Sequence, residues 1–430
     1  MWSRNKDVIV IGGAVFAMFF GAGNLIFPPL LGAALGPDWL TGTVGFVLTT
    51  AVLSLLAMMA VAKAGDGFAD LARHLDKKFS AIFGVVLVLA IGPLLAIPRT
   101  GATTYEMGIL PVFPEVSANV VSMIYFAGVL LFSISKNGVM DKVGKFLTPT
   151  LVVGLLFIIC KAVFSSGDVA PLEDPATSPF SKSFVEGYQT LDVIGAVLFT
   201  IVTLGALREK NYQGTSIPPM VFKTGLLAAT FLAFVYGGLM YMGALGAEYL
   251  SGDMARTTFF VTLVEKFVGV SGKYILALTV TMACFSTAVG LTSVTAVYFE
   301  RLTKGKMSYK FNVIVCSVIS YALANLGVES IVALSGPALS LLYPALMVLI
   351  GLMLFSHLLP NKEMAFKAGV YSAVGISVCE AISTKAVPAL SPIFAGLPFA
   401  EHGFGWLVPT LVILVLAIAY SAVRPRKAVV

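Results

Sequence analysis

The chain has 430 residues, of which 58% are hydrophobic and only 12% charged, about half the quarter carried by soluble globular chains. That imbalance excludes an ordinary water-soluble enzyme. The formal net charge of +6 does not point to nucleic acid, because no basic cluster is interleaved with aromatics and the cations sit in short pieces between apolar runs. Cys160, Cys284, Cys316 and Cys379 lie inside apolar stretches without CxxC or CxxH spacing, so neither a disulfide framework nor a zinc site is expected.

Apolar runs bounded by charge, glycine or proline predict an all-α polytopic membrane protein of about twelve spans, each needing about 20 residues. In chain order they run from Val8 to Gly36, Trp39 to Ala64, Ser80 to Ile109, Val116 to Ser135, Val139 to Val163, Phe184 to Leu207, Ile217 to Gly246, Lys273 to Leu302, Phe311 to Gly327, Val328 to Phe355, Met364 to Thr384 and Gly403 to Val423. The first is too long, and too rich in glycine and proline, for a cleaved signal peptide. Residues 247–270 are too polar to span; Phe259, Phe260, Leu263 and Phe267 recur there at helical spacing. This suits an amphipathic helix over the outer face, serving either as packing or as a lid.

The basic residues test this division. With a cytoplasmic N-terminus, 21 of the 28 fall on one side, including Lys136, Lys142, Lys145, Arg424, Arg426 and Lys427. Lys161, Lys182, Arg256, Lys266, Lys273 and Lys385 fall on the other, and Arg99 lies within the membrane. By the positive-inside rule both termini are expected in the cytoplasm.

Intramembrane helices can break only where the freed backbone groups face protein, water or a ligand, so breaks point to sites. The first span carries Gly21-Ala22-Gly23-Asn24 followed by Pro28-Pro29: permissive backbone, an amide able to cap a restarted helix, then a stop. The sixth carries Glu186-Gly187-Tyr188-Gln189-Thr190-Leu191-Asp192-Val193-Ile194-Gly195-Ala196, polar groups crowded between two glycines. Breaks in spans one and six suit a LeuT-like plan of two inverted five-helix repeats, at about residues 8–163 and 184–355, with accessory helices at about 364–423. At about 1.5 Å per residue, Asn24, Arg99, Asp192, Ser286 and Thr287 lie roughly 12 to 20 Å below the outer ends of their spans. One shared mid-membrane site explains that convergence.

A charge in hydrocarbon costs at least about 2.5 kcal/mol, so Arg99 and Asp192 need partners: either each other, directly or through an intermediate, or local carbonyls. A zwitterion suits two broken helices. Its carboxylate is favoured at the restarted N-terminus after Gly23, and its ammonium by unwound carbonyls from Ala17 to Phe20 and from Thr190 to Leu191. Ile97, Ile194, Ala196 and Phe199 would favour an aliphatic side chain through burial of about 1.5 to 3 kcal/mol. In span eight, Ala283, Ser286 and Thr287 share a face at i, i+3, i+4 spacing and offer hard oxygens to an alkali cation. Val289, Thr292 and Ser293 repeat the spacing nearer the cytoplasmic boundary. No HExxH, Walker A or GxSxG pattern occurs, so neither catalysis nor ATP-driven pumping, with its ATPase partner, is expected.

Phe19 to Pro29, Gly92-Pro93, Ala96-Ile97-Pro98-Arg99-Thr100-Gly101-Ala102-Thr103, Glu186 to Asp192, and Ala283 to Leu291 resemble signatures of the branched-chain amino acid:cation symporter (LIVCS) family of BrnQ-type carriers. The resemblance covers essentially the whole chain. It implies import of leucine, isoleucine and valine across a bacterial inner membrane, driven by Na+ or, in some members, by protons, on a LeuT-like fold. On this likeness Gly21, Ala22, Gly23, Asn24, Thr190, Leu191 and Asp192 match the substrate-site breaks, and Ala283, Ser286 and Thr287 the sodium-site stretch, with Ser286 where the family pattern has threonine. By position Ile97, Arg99, Thr100, Ile194 and Gly195 join the expected substrate site, and Ala17 and Phe20 the expected cation site. A proton-coupled carrier using Asp192 or Glu106, a channel and a non-translocating receptor remain the alternatives.

Overall fold

The computed structural model describes residues 2–65, 67–135, 148–165, 167–169, 171, 178–385 and 391–423, and among these it is helical with no strands. The expected start of the fifth span at Val139, and Lys136, Lys142, Lys145, Arg424, Arg426 and Lys427, lie outside the described residues. The helices are α1 Trp2–Phe19, α2 Ala22–Leu35, α3 Trp39–Val47, α4 Leu53–Ala64, α5 Lys77–Leu89, α6 Ala96–Thr103, α7 Ala118–Ser133, α8 Thr148–Val163 and α9 Pro179–Glu186. They continue as α10 Asp192–Glu209, α11 Ile217–Leu245, α12 Arg256–Val268, α13 Gly272–Leu302, α14 Tyr309–Ala324, α15 Val328–Leu354, α16 Lys362–Lys385 and α17 Leu407–Val423.

Six helical stretches among the described residues are long and apolar enough to cross a bilayer, and a seventh if the bent pair Pro179–Thr190 and Asp192–Glu209 is one span. Ala118–Ser133, Pro149–Val163, Tyr309–Ala324 and Leu407–Val423 are apolar but shorter. This is a multi-pass membrane protein. Its exterior agrees: large apolar side chains such as Ile124, Leu131, Phe234 and Leu416 lie exposed, as a lipid solvent permits.

The first span breaks between α1 and α2. Phe20 closes the last turn through its N–H to the Phe16 carbonyl at 2.8 Å, Gly21 is extended, and α2 restarts at Ala22. The sixth breaks through a 3-10 turn over Gly187–Thr190 and a left-handed Leu191 at φ 65°, bending the pair by 44°. A third interruption, not expected from the sequence, lies in span three: Gly92, just before Pro93, is non-helical inside the π turn Ala90–Leu94. Proline removes a donor and clashes with the preceding turn, so the helix restarts as α6 on a new axis.

Close backbone approach sets the central packing. A side chain at Gly32 would strike the Met240 carbonyl, and one at Gly243 the Pro29 carbonyl, so α2 and α11 meet backbone to backbone in the manner of small-residue crossings in membranes. That contact brings Tyr236 of α11 to Asn24 of α2. Residues 247–270 form α12 after a polar turn, and its apolar face is buried: Phe259, Phe260 and Leu263 are fully covered and Phe267 partly.

Candidate substrate and ion site

The two breaks face one another across a narrow cavity. Gly21, Ala22, Gly23 and Asn24 line it from the first break, and Thr190, Leu191, Asp192 and Gly195 from the second. Arg99 and Thr100 reach it from α6, together with Ala96. Met18, Phe19, Ile91, Phe199 and Leu291 supply apolar wall. Ile97 and Ile194 do not line it; both are buried in packing. The reason is helical phase: Ala96, Arg99 and Thr100 share one face of α6, as Asp192, Gly195 and Phe199 do on α10, and a residue one or two positions off points elsewhere.

Asn24 is the centre of the polar network. Its Oδ1 accepts from the Gly21 N–H at 3.0 Å, capping the restarted helix. Its Nδ2 donates to Asp192 Oδ1 at 3.1 Å and Oδ2 at 2.8 Å, and contacts the Tyr236 hydroxyl. Tyr236 in turn donates to Asp192 Oδ2 at 2.9 Å. The break of span one is therefore tied to the break of span six through a carboxylate, with span seven as the third arm. Thr190 supports the turn: its hydroxyl donates to the Gly187 carbonyl at 2.8 Å and accepts from the Asp192 N–H at 3.3 Å.

Arg99 and Asp192 do not pair directly. Arg99 Nη1 donates to the Gln189 carbonyl at 2.7 Å, so span three is joined to broken span six through a backbone carbonyl. The guanidinium also lies 5.6 Å from the centre of the Phe27 ring, within cation–π range. Arg99 Nε is buried with no hydrogen-bond partner among the described residues. Gly23 is required beside it, because a Cβ there would lie 2.7 Å from Arg99 Nη2 and 3.1 Å from Thr190 Cα.

Behind the cavity, α13 is stitched to the open end of α1. Ser286 donates to the Ala17 carbonyl at 2.7 Å and to the Ala283 carbonyl at 2.8 Å, and Thr287 donates to the Met18 carbonyl at 3.0 Å. Two hydroxyls and three carbonyls thus converge without a charged group, a donor set of hard oxygens. Thr287 also lines the cavity. Phe20 lies nearby with its ring stacked on Phe16 at 5.5 Å, while the carbonyl bonded by Thr287 is that of Met18. Lower on α13, Ser293 bonds back to the Val289 carbonyl at 2.8 Å. No group of His, Cys, Asp and Glu able to hold a metal occurs among the described residues.

At the Gly272 end of α13, α12 packs against α2 and α13. Arg256 donates its N–H to Glu329 Oε1 at 3.0 Å and pairs with Oε2 through its guanidinium, which lies 5.7 Å from the same Phe27 ring. Glu106 accepts from the Thr257 hydroxyl at 2.8 Å and from the Val328 N–H at 2.9 Å. It tethers α12 to the start of α15 and does not line the cavity.

Neither the reach of Tyr236 into the site nor the break at Gly92-Pro93 is expected from the sequence, although the Gly-Pro pair stands among the family signatures. The Gly-Pro pair is itself a breaker signal. Tyr236 carried only a weak mark, a hydroxyl midway along an apolar span beside Gly237-Gly238.

A helical bundle whose first and sixth spans break around one cavity has the plan of the LeuT-like fold, and solved structures agree. A Na+-coupled sialic acid symporter in a substrate-bound outward-open state matches with a TM-score of 0.64 at 12% identity, over 97% of this chain and 90% of that one. MhsT in complex with L-phenylalanine matches at 0.59 and 17% identity, over 96% and 97%. From residue 4 to 424 the sequence fits the model of the branched-chain amino acid transport protein family. Relatives include the branched-chain amino acid transport system 2 carrier protein of Pseudomonas aeruginosa, 34% identical over 99% of both chains. The branched-chain amino acid permease BrnQ of Escherichia coli K12 is 31% identical over 99% of this chain and 98% of its own. The chain belongs to the branched-chain amino acid transport protein family, a family of carriers rather than enzymes.

Proposed function

We propose that this protein imports leucine, isoleucine and valine by symport with Na+ through alternating access. The observation that carries the reading is the cavity between the two breaks, lined by apolar walls, by the first residues of α2 and by Arg99, whose buried Nε has no partner among the described residues. The carboxylate of a zwitterion is favoured at Arg99 and the N–H groups of Ala22 and Gly23. Its ammonium is favoured by Asp192 and the carbonyls at the two breaks, and its aliphatic side chain by Ile91, Phe199 and Leu291. No base needs to act, since nothing is made or broken. The coupling cation would sit among the Ala17, Met18 and Ala283 carbonyls and the Ser286 and Thr287 hydroxyls. Because Thr287 touches both this set and the cavity, occupancy of one space bears on the shape of the other, which is what coupling requires.

Proton coupling through Asp192 is the second reading, favoured by a buried carboxylate that forms no ion pair with Arg99. We place both termini in the cytoplasm and the two repeats at about residues 8–163 and 184–355, by the charge asymmetry and the paired breaks. Uptake of labelled leucine into proteoliposomes under separate Na+ and pH gradients tests the coupling. Na+-driven uptake lost in Ser286→Ala supports the cation assignment, and uptake driven equally well by a pH gradient without Na+ overturns it. Binding of leucine without counterflow would identify a receptor instead.

A further inference from the structure

Nearer the α13 C-terminus lies a second, wider cavity. It shares two walls with the central one. On α10 the central cavity reaches Phe199 and the second begins at Ile201; on α13 they are marked by Leu291 and Val297. Six residues of helix are about 9 Å, so a thin packed layer separates the two spaces. Thr295 closes against Gly92 in that layer, where a Cβ would lie 2.8 Å from the Thr295 hydroxyl.

The second cavity combines an apolar wall with a cationic rim. Phe68, Ile201 and Val297 supply the wall; Arg73, Lys77, Arg301 and Lys304 stand around it, with Asp70 the acidic lining residue. All four cations are exposed, and Arg73 is held in place by its bond to the Ala64 carbonyl at 3.0 Å. Like charges gathered at one mouth raise the local potential for an anion. Topology alone needs basic residues on this side, but it does not need four of them around one apolar hollow that shares α10 and α13 with the central cavity.

We propose that this second cavity is a release station, a low-affinity site for an apolar amino acid between the central cavity and the cytoplasm. Arg301, Lys304, Lys77 and Arg73 receive its carboxylate, and Phe68, Ile201 and Val297 its side chain. The station rests on the transport reading above. It gives a departing zwitterion a partner for the carboxylate as it leaves Arg99, and it raises the local concentration available for the reverse step.

Leucine transport measured from each face, in right-side-out and inside-out vesicles, tests it. In the double variant Arg301→Gln, Lys304→Gln, the half-saturating concentration from the cytoplasmic face should rise about fivefold relative to that from the outer face. A control of equal charge change, Lys306→Gln with Lys310→Gln, should keep the wild-type ratio. An unchanged ratio in the first variant, or an equal rise in the control, overturns the station. The same ratio is then measured with purified protein in phosphatidylcholine vesicles, with and without phosphatidylglycerol. A shift that persists without the anionic lipid supports the station; one seen only with it assigns the cations to lipid headgroups and overturns the proposal. Absence of leucine transport by the wild type from either face would instead defeat the transport reading itself.

Discussion

Tyr236 illustrates how a single hydroxyl can hold a broken helix together. It bonds Asp192 of the second break and contacts Asn24 of the first, and all three are buried. Tyr236→Phe keeps the ring packed against Phe20 and Phe46 but removes one donor from a buried carboxylate, at a cost of about 1–3 kcal/mol. We expect a fall in thermal midpoint and about a tenfold loss of leucine uptake; uptake and stability equal to wild type would show that Asn24 alone suffices. Gly23→Ala acts by space instead. Its methyl would sit against Arg99 Nη2 and the Thr190 backbone, so the expected outcome is a normally inserted protein without leucine binding, read by scintillation proximity. At this scale the sequence was legible where chemistry was unusual for lipid. Asn24, Arg99 and Asp192 stand out because charge and amides are scarce in an apolar chain. Ile97 and Ile194 were misplaced relative to the cavity because helical phase cannot be fixed near a break.

Among the elements, the breaks differed in legibility for a physical reason. Gly21 to Asn24 followed by two prolines marks a break in any helix. The second break turns on a left-handed Leu191, which no leucine advertises; only the surrounding polar residues and glycines gave it away. The Gly92-Pro93 kink was passed over because prolines are tolerated in membrane helices. An outlying element gives a further prediction. The loop after α4 is docked on α16 by Asp76, which pairs with Lys367 at 2.8 Å and accepts from the Tyr371 hydroxyl at 2.6 Å. The bond to Lys367 first, then that to Tyr371, holds the Asp76 carboxyl below the usual carboxylate range. A folded-state value below the unfolded one means that this contribution is present above the unfolded value and is lost as pH falls through the folded one. The protection factors of amides around Asp76 and Lys367, exchange rates corrected for the intrinsic pH dependence, should therefore fall in acid and stay constant near neutrality. Asp76→Asn should show the lowered protection at every pH; a variant with wild-type acid sensitivity would remove Asp76 as its cause.

For the whole molecule, the strongest long-range statement in the sequence is the distribution of charge, and it makes a prediction about sidedness. If spans alternate as proposed, Ser251, before α12, faces outward, and Lys306, after α13, faces the cytoplasm. Both are exposed and lie at opposite ends of the long helix α13, whose 31 residues rise about 46 Å, enough to cross the bilayer. Ser251→Cys and Lys306→Cys, placed singly in a chain whose four cysteines have been replaced by alanine or serine, should be labelled differently by an impermeant maleimide. Whole cells should label the first and not the second; inside-out vesicles should reverse the pattern. The result bears on more than topology. Arg256, Glu329 and the covered face of α12 lie at the Ser251 end of the molecule, and the basic second cavity lies at the Lys306 end. Labelling as expected makes the closed, Phe27-stacked side extracellular and the wide basic side cytoplasmic, so the structure stands nearer release than capture. Reversed labelling would turn the same two features into an inner seal and an outer vestibule, and the positive-inside assignment of the whole chain would fall with it.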